Sequence, residues 1–253
     1  MTAETARGEI VLHPPDVHSP PIDLCLESFM GTWHVTHSTL PLWKSRKDVT
    51  ITYTLKTPPS ADGAVKFDDV VEYRSKSDPP SAARSRIVGV DTLITQSNSN
   101  APPSSSAAGS RPPSGGGLNT SDASSSAAPA TSSPSSGPPS DPDSAASTRK
   151  PAQTRYKWRG KGWLAVASSR WQLLGCSADA SPGGTGAWAV TYFEKTLFTP
   201  AGLDIYARTA DGLPADVVAE IIAKAQGLGG DVEKLAEGFF EVERSGVAGK
   251  GTV

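Results

Sequence analysis

From Val49 to Leu55 the chain alternates without a break: Val49, Ile51, Tyr53 and Leu55 against Thr50, Thr52 and Thr54. Residues two apart share one face of an extended strand, so this period marks a half-buried β-strand and not an amphipathic helix. A strand with one apolar face must meet others that close over it. The chain supplies them. Residues 29–40 place Trp33, Val35, His37 and Thr39 on one side, and His34, Thr36 and Ser38 on the other. Residues 65–74 align Val65, Phe67, Asp69, Val71 and Tyr73, and 86–94 read as a fourth strand. Residues 154–159 set Tyr156 and Trp158 against Arg155, Lys157 and Arg159. Extended sequence continues over 163–175, 187–198 and 203–208. Turn residues punctuate these runs, as in Pro58-Pro59-Ser60-Ala61-Asp62-Gly63 and Thr199-Pro200-Ala201-Gly202. About eight antiparallel strands joined in order by hairpin loops predict an all-β, up-and-down barrel.

The period then changes. Leu213-Pro214-Ala215-Asp216 opens a helix with Pro where the first turn tolerates it. Val217, Val218, Ile221, Ile222 and Ala225 form its apolar stripe, and Gly227, Gly229 and Gly230 end it. One amphipathic helix after the last strand must pack on the outside of the sheet. Val232–Ala236 adds a turn and Phe239–Val242 a short strand.

One block is of another kind. Apart from Arg111 and Leu118, residues 98–148 are all Ser, Pro, Ala, Gly, Asn, Asp or Thr. Such a segment buries too little apolar surface to offset its chain entropy and is expected to be disordered. Loop-closure entropy grows slowly with length, so a sheet tolerates it between two strands. The expected organisation is an N-terminal arm and short plug helix over 1–28 and barrel strands over 29–94. A disordered insertion over 95–153 precedes barrel strands over 154–210, a helix with a terminal strand over 211–243, and a flexible tail over 244–253.

The totals exclude some functions. A net charge of −2 argues against a general nucleic-acid binder. No apolar run reaches about 18 residues, so no transmembrane helix is expected. The first residues carry neither a cationic start nor an apolar stretch, which implies a cytoplasmic protein with reduced Cys25 and Cys176. The four histidines form no metal pattern, because His34 and His37 point to opposite faces of one strand. No nucleophile elbow and no phosphate-binding glycine loop is present, and no cofactor is implied.

Four stretches resemble the lipocalins, and among them the bacterial outer-membrane lipocalin and apolipoprotein D group. They are Gly31-Thr32-Trp33; Val49-Thr50-Ile51-Thr52-Tyr53-Thr54-Leu55; Ala207-Arg208-Thr209 with Gly212-Leu213-Pro214; and Gly230-Asp231-Val232-Glu233-Lys234-Leu235. The resemblance covers roughly 29–94 and 154–243. It implies a calycin barrel closed by Gly31, Trp33 and Arg208, with the guanidinium across the indole. It also implies binding or transport of a small hydrophobic ligand inside the barrel, or catalysis by an isomerase or cyclase of hydrophobic metabolites.

The strand phases point Val35, His37, Tyr53, Phe67, Asp69, Tyr73, Tyr156 and Trp158 into the cavity, a mostly apolar wall with a few polar groups. His37 and Asp69 are the candidates for ligand orientation or acid/base catalysis; mutual hydrogen bonding would explain them equally. At the mouth, Trp43, Lys44, Arg46, Lys161 and Trp163 mix aromatic and cationic side chains. Such a rim suits an amphipath with an acidic head, such as a fatty acid or lysophospholipid. It also reads as a solvated face, or as a contact with an anionic membrane surface.

Overall fold

The computed structural model describes residues 9–15, 22, 24–56, 64–94, 154–177, 186–197 and 199–245, with the backbone alone at Trp163. The chain runs through helix α1 (Leu26–Phe29) and strands β1 (Gly31–Ser38), β2 (Arg46–Leu55), β3 (Lys66–Ser75) and β4 (Ser85–Leu93). It continues through β5 (Arg155–Gly160), β6 (Ser168–Cys176), β7 (Trp188–Phe193) and β8 (Gly202–Ala207). Helices α2 (Ala215–Gln226) and α3 (Gly230–Ala236) and strand β9 (Phe240–Glu241) follow. Each of the first seven strands pairs antiparallel with the next, and β8 returns to β1. The result is a closed eight-stranded antiparallel up-and-down β-barrel with a C-terminal helix.

Strand β1 closes the barrel by serving two neighbours in turn. Its first half pairs with β2 and its second half with β8, and β9 joins it at His37 and Ser38. Between Val35 and His37 the register against β8 slips. A bulge adds one residue to one strand, so every later side chain changes face. Val35 and Tyr206 therefore lie in the inner core, while Ile205, opposite His37, belongs to the outer one. Beyond the slip Ser38 turns inward and meets Asp204. Thr36, in the slip itself, is buried and donates its hydroxyl to the Ile205 carbonyl at 3.1 Å.

The lower half of the barrel is solid. Phe29, Trp33, Tyr53, Phe67, Tyr156, Trp171 and Tyr206 are all buried there. Ring centroids stand 4.4 Å apart for Tyr156 and Trp171, and 5.2 Å for Phe67 and Tyr156. At the floor the Arg208 guanidinium lies 3.6 Å from the centre of the Trp33 ring. Its nitrogens donate to the carbonyls of Ser28, Met30 and Thr32 at 2.6, 2.9 and 3.1 Å. The Trp33 indole donates to the Phe29 carbonyl at 2.9 Å. Gly31 enters β1 at φ +91°, a left-handed conformation that favours glycine.

A second core lies outside the sheet. Helix α2 buries Val217, Val218, Ile221 and Ala225, which pack in one cluster with Leu174, Val190, Leu203 and Ile205. The arm joins it through Ile10 and Leu12, and His13 N–H donates to the Leu174 carbonyl at 2.8 Å. The residues after Gly230 make a seven-residue helix where the sequence pattern indicated one turn. Strand β6 begins at Ser168, because Gly162–Leu164 coils into a 3-10 turn with Gly162 at φ +62°. Cys25 and Cys176 form no disulfide. The insertion over 95–153, most of the arm over 1–28 and the tail beyond Ser245 lie outside the described residues.

Candidate functional site

Above the aromatic floor a cavity of about 200 Å³ opens toward the loops that follow β1 and β7. Trp43, Tyr53, Trp158, Trp171 and Phe193 give it an aromatic wall, with Ile51 and Val71 between them. Local folding puts Trp43 there. Leu40-Pro41-Leu42-Trp43 turns as a 3-10 helix with Pro in its first turn, and the indole swings inward. Trp43 is buried, and its Nε1 donates to Asp204 Oδ2 at 3.3 Å. Trp158 has its place because residue 89 is glycine. A Cβ on Gly89 would collide with Trp158 Nε1.

Three carboxyl groups also line the cavity: Asp69, Glu194 and Asp204. Glu194 is paired with Arg155 at 3.1 Å. Asp204 is fully buried and accepts from Ser38 Oγ at 2.5 Å as well as from Trp43. Burial outweighs these two donors and pushes its pKa up to about 7. Asp69 is 7% exposed, and behind it lies Asp91 at 0%. Trp171 Nε1 donates to Asp91 Oδ1 at 2.7 Å. Asp69 Oδ1 and Asp91 Oδ2 have no hydrogen-bond partner if both groups are ionised. One proton between them supplies the missing donor, as in other carboxyl pairs that cannot both ionise. Burial, chiefly, pushes Asp91 up to about 7. Burial, then the Asp91 charge, holds Asp69 well above the usual carboxylate range. Burial also raises the pKa values of Tyr53 and Tyr206.

The residues singled out in the sequence divide into several groups. Tyr53, Asp69 and Trp158 stand on the cavity wall, with Trp43 from the mouth set. Val35, Phe67 and Tyr156 lie in the solid core below. Tyr73 stands near the rim, with the Arg46 guanidinium 4.7 Å above its ring and Trp43 edge-on at 6.2 Å. Lys44 sits 5.4 Å over the Phe240 ring, and Lys161 Nζ reaches Asp68 at 2.6 Å. The Trp163 side chain lies outside the described residues.

His37 does not face the cavity. The slip in β1 places it opposite Glu241 of β9, its Nδ1 3.3 Å from Thr36 Oγ1. Burial lowers its pKa to about 4, against the Glu241 charge. It is therefore not brought together with Asp69, the partner expected from the strand phases.

Asp91, Asp204, Trp171 and Phe193 were not singled out. A signal existed for Asp204: a lone acid in Leu203-Asp204-Ile205-Tyr206-Ala207, where every residue proves buried. Asp91 shares the strand phase of Gly89, but its role depends on Trp171, eighty residues away across the barrel. Among the described residues, no three His, Cys, Asp or Glu side chains are grouped to hold a metal ion. No described helix is long and apolar enough to cross a membrane.

Beside the mouth runs an outer groove of about 780 Å³, between the loop after β5 and the loop after β7. Its edges carry Val166 and Leu197, 93% and 95% exposed, with Lys157, Arg170 and Lys195 around them.

No protein-family model matches the chain. No curated protein matches it either. Among solved structures, insecticyanin from the tobacco hornworm Manduca sexta is similar at 13% identity and a TM-score of 0.46, covering 94% of this chain and 89% of that one. Apocrustacyanin C2 is similar at 11% identity and a TM-score of 0.45, covering 87% and 80%. At such identities the likeness does not extend to side chains.

Proposed function

We propose that the barrel binds one compact hydrophobic or amphipathic molecule in the cavity beneath Trp43 and serves as its carrier or sequestering protein. The observation that carries this reading is the division of the interior. The lower half is packed solid, whereas the upper half leaves an aromatic cavity that reaches the rim. Concave, mostly apolar sites with a few fixed polar groups are the usual form of small-molecule pockets. The volume of about 200 Å³ lies below the roughly 300–1,000 Å³ of drug-sized sites, which favours a compact ligand over a full-length acyl chain.

Kinship with the lipocalins belongs to this proposal. It is supported by the Gly31-Thr32-Trp33 opening, the Arg208 stack on Trp33 and the helix that follows β8. Within that family, the bacterial outer-membrane and apolipoprotein D group is supported by the four sequence stretches alone. The enzyme reading loses its His37–Asp69 pair and retains Asp69 alone as a candidate acid.

Native mass spectrometry of the freshly purified protein tests the carrier reading, together with Trp fluorescence on adding small aromatic compounds. Bound mass released on denaturation, or saturable quenching weakened by Leu42→Trp at the rim, is expected. If neither appears with any compound that fits the cavity, the reading fails.

A second reading rests on Val166 and Leu197, whose exposure beside three cations suits a transient contact with an anionic lipid surface. Co-sedimentation with phosphatidylglycerol vesicles, reduced in Val166→Asp/Leu197→Asp, is the expected result. No co-sedimentation at low salt refutes it.

A further inference from the structure

We propose that the ligand of this cavity is a small organic cation, a protonated amine on an aromatic or alicyclic body, whose ammonium group pairs with Asp69. This deepens the carrier reading and rests on it.

The charge of the wall comes first. The cavity lining contains Asp69, Glu194 and Asp204, and among the described residues it contains no Lys, Arg or His. The mouth cations do not offset this. They lie off the lining: Arg46 sits over Tyr73, Lys44 over Phe240, and Lys161 pairs with Asp68. Glu194 has its counter-charge in Arg155, but Asp69 and Asp204 have none on the lining, so an anionic head group would meet like charge there once they ionise.

An ammonium meets the opposite case. Asp69 stands on the cavity wall, nine-tenths buried; its Oδ1 is itself covered and shares the dyad's proton with Asp91, so the dyad meets the cavity through the remainder of the Asp69 carboxyl. The groups facing it are Asp91 from β4, and Tyr53 and Tyr206 from β2 and β8. None is cationic. A ligand N–H can meet the Asp69 carboxyl from the cavity side while the shared proton lies between its Oδ1 and Asp91. The rest of the ligand then lies against Trp43, Trp158 and Trp171, whose ring faces attract cations and cover apolar surface. The second carboxyl, Asp204, has both oxygens occupied by Ser38 and Trp43 and adds a negative charge only above about pH 7, where it ionises.

Balance follows from these carboxyls. The amine enters already protonated, and its positive charge lets a proton held near pH 6.5 by Asp204 or by the dyad leave to solvent. Binding near pH 6.5 therefore releases up to one proton per ligand. Affinity rises from pH 5 to pH 8 as that proton becomes easier to displace.

Three near-isosteric probes test this: 2-phenylethylamine, 2-phenylethanol and 3-phenylpropionate, titrated calorimetrically at pH 8. The amine is expected to bind at least tenfold more tightly than the alcohol, and the carboxylate most weakly. Asp69→Asn should weaken the amine at least tenfold and the alcohol less than threefold. At pH 6.5, the apparent heat for the amine should differ between phosphate and imidazole buffers, reporting the released proton. Equal or tighter binding of the alcohol or the carboxylate overturns the amine proposal and leaves the carrier reading standing. Failure of all three probes overturns the amine proposal, and the carrier reading is then decided by native mass spectrometry. Circular dichroism and urea melts establish that Asp69→Asn is folded. If it is not, Asp204→Asn, expected to weaken the amine threefold to tenfold, replaces it, and unchanged amine affinity in the folded variant refutes the proposal.

Discussion

Stability should fall as the pH rises from 5 to 7.5, the reverse of the usual acid denaturation. Asp91 and Asp204 have folded-state pKa values of about 7, while an unfolded aspartate titrates near 3.9. Between these values the folded chain holds protons that the unfolded chain has released. Each such group then costs about 1.4 kcal/mol of stability per pH unit as the pH rises, until the folded group ionises. Other groups run the opposite way. Burial lowers His37 to about 4 and also lowers His34, so the unfolded chain takes up protons there below about pH 6.5. That contribution rises with pH and is complete near 6.5. Asp48 and Asp68 are lowered by their hydrogen bonds and ion pairs, and their stabilisation is lost only in stronger acid.

The net expectation from pH 5 to 7.5 is a loss on the order of 3 kcal/mol, steepest between pH 6.5 and 7, where the histidines no longer compensate. Urea unfolding followed by Trp fluorescence at half-unit pH steps measures it. Asp204→Asn removes roughly 2.5 kcal/mol of the carboxyl contribution and should leave the net slope close to level, whatever its effect on absolute stability. A wild-type midpoint that is level or rising through this window, or an unchanged slope in Asp204→Asn, refutes the assignment of these carboxyls as neutral in the folded barrel.

Other outcomes follow from single contacts. Arg208→Ala removes the stack on Trp33 and three hydrogen bonds to carbonyls, and should cost about 3–5 kcal/mol in urea melts. Arg208→Lys should recover less than half of that, since one ammonium cannot span the same three acceptors. Ile221→Ala leaves a hole between α2 and the sheet, at a residue that is fully buried, and should cost about 2–5 kcal/mol. Gly89→Ala places a methyl against the Trp158 indole. It should push the ring into the cavity and weaken any bound probe while shifting the urea midpoint little, as calorimetry and melts on one preparation would show. His37→Ala should leave probe affinity unchanged, because the imidazole lies beside β9 and away from the cavity wall.

The strand periods carried the barrel because alternation is a local property. Val49 to Leu55 needs no partner to declare its two faces, and the same holds for Lys66–Ser75 and for the stripe of α2. The Arg208–Trp33 closure was reached through resemblance, and the geometry gives it a physical basis in the guanidinium stack and the three carbonyls it satisfies. The error at His37 has a different source. A bulge is an irregularity in pairing, and pairing between β1 and β8 joins residues about 170 positions apart. Nothing in Trp33-His34-Val35-Thr36-His37-Ser38 alone announces the slip. Once it occurs, a histidine leaves the interior and Ser38 enters it, and Ser38 is what Asp204 needs in order to be buried.

The chemistry of the site was hidden for the same reason. Asp69, Asp91 and Asp204 lie on β3, β4 and β8, and each alone reads as an unremarkable polar residue in a strand. Their meaning comes from convergence at, and just behind, a wall that carries no cation among the described residues. Charge at the rim, by contrast, is prominent in the sequence, and it suggested an acidic ligand. In the folded chain those cations are held by aromatic rings and by Asp68, so the interior has the opposite sign from the edge. A ligand that reaches the cavity is selected by the wall it rests against. In this barrel a carboxylate at that wall would add charge of the same sign as the ionised Asp69–Asp91 pair and Asp204, in a largely apolar space.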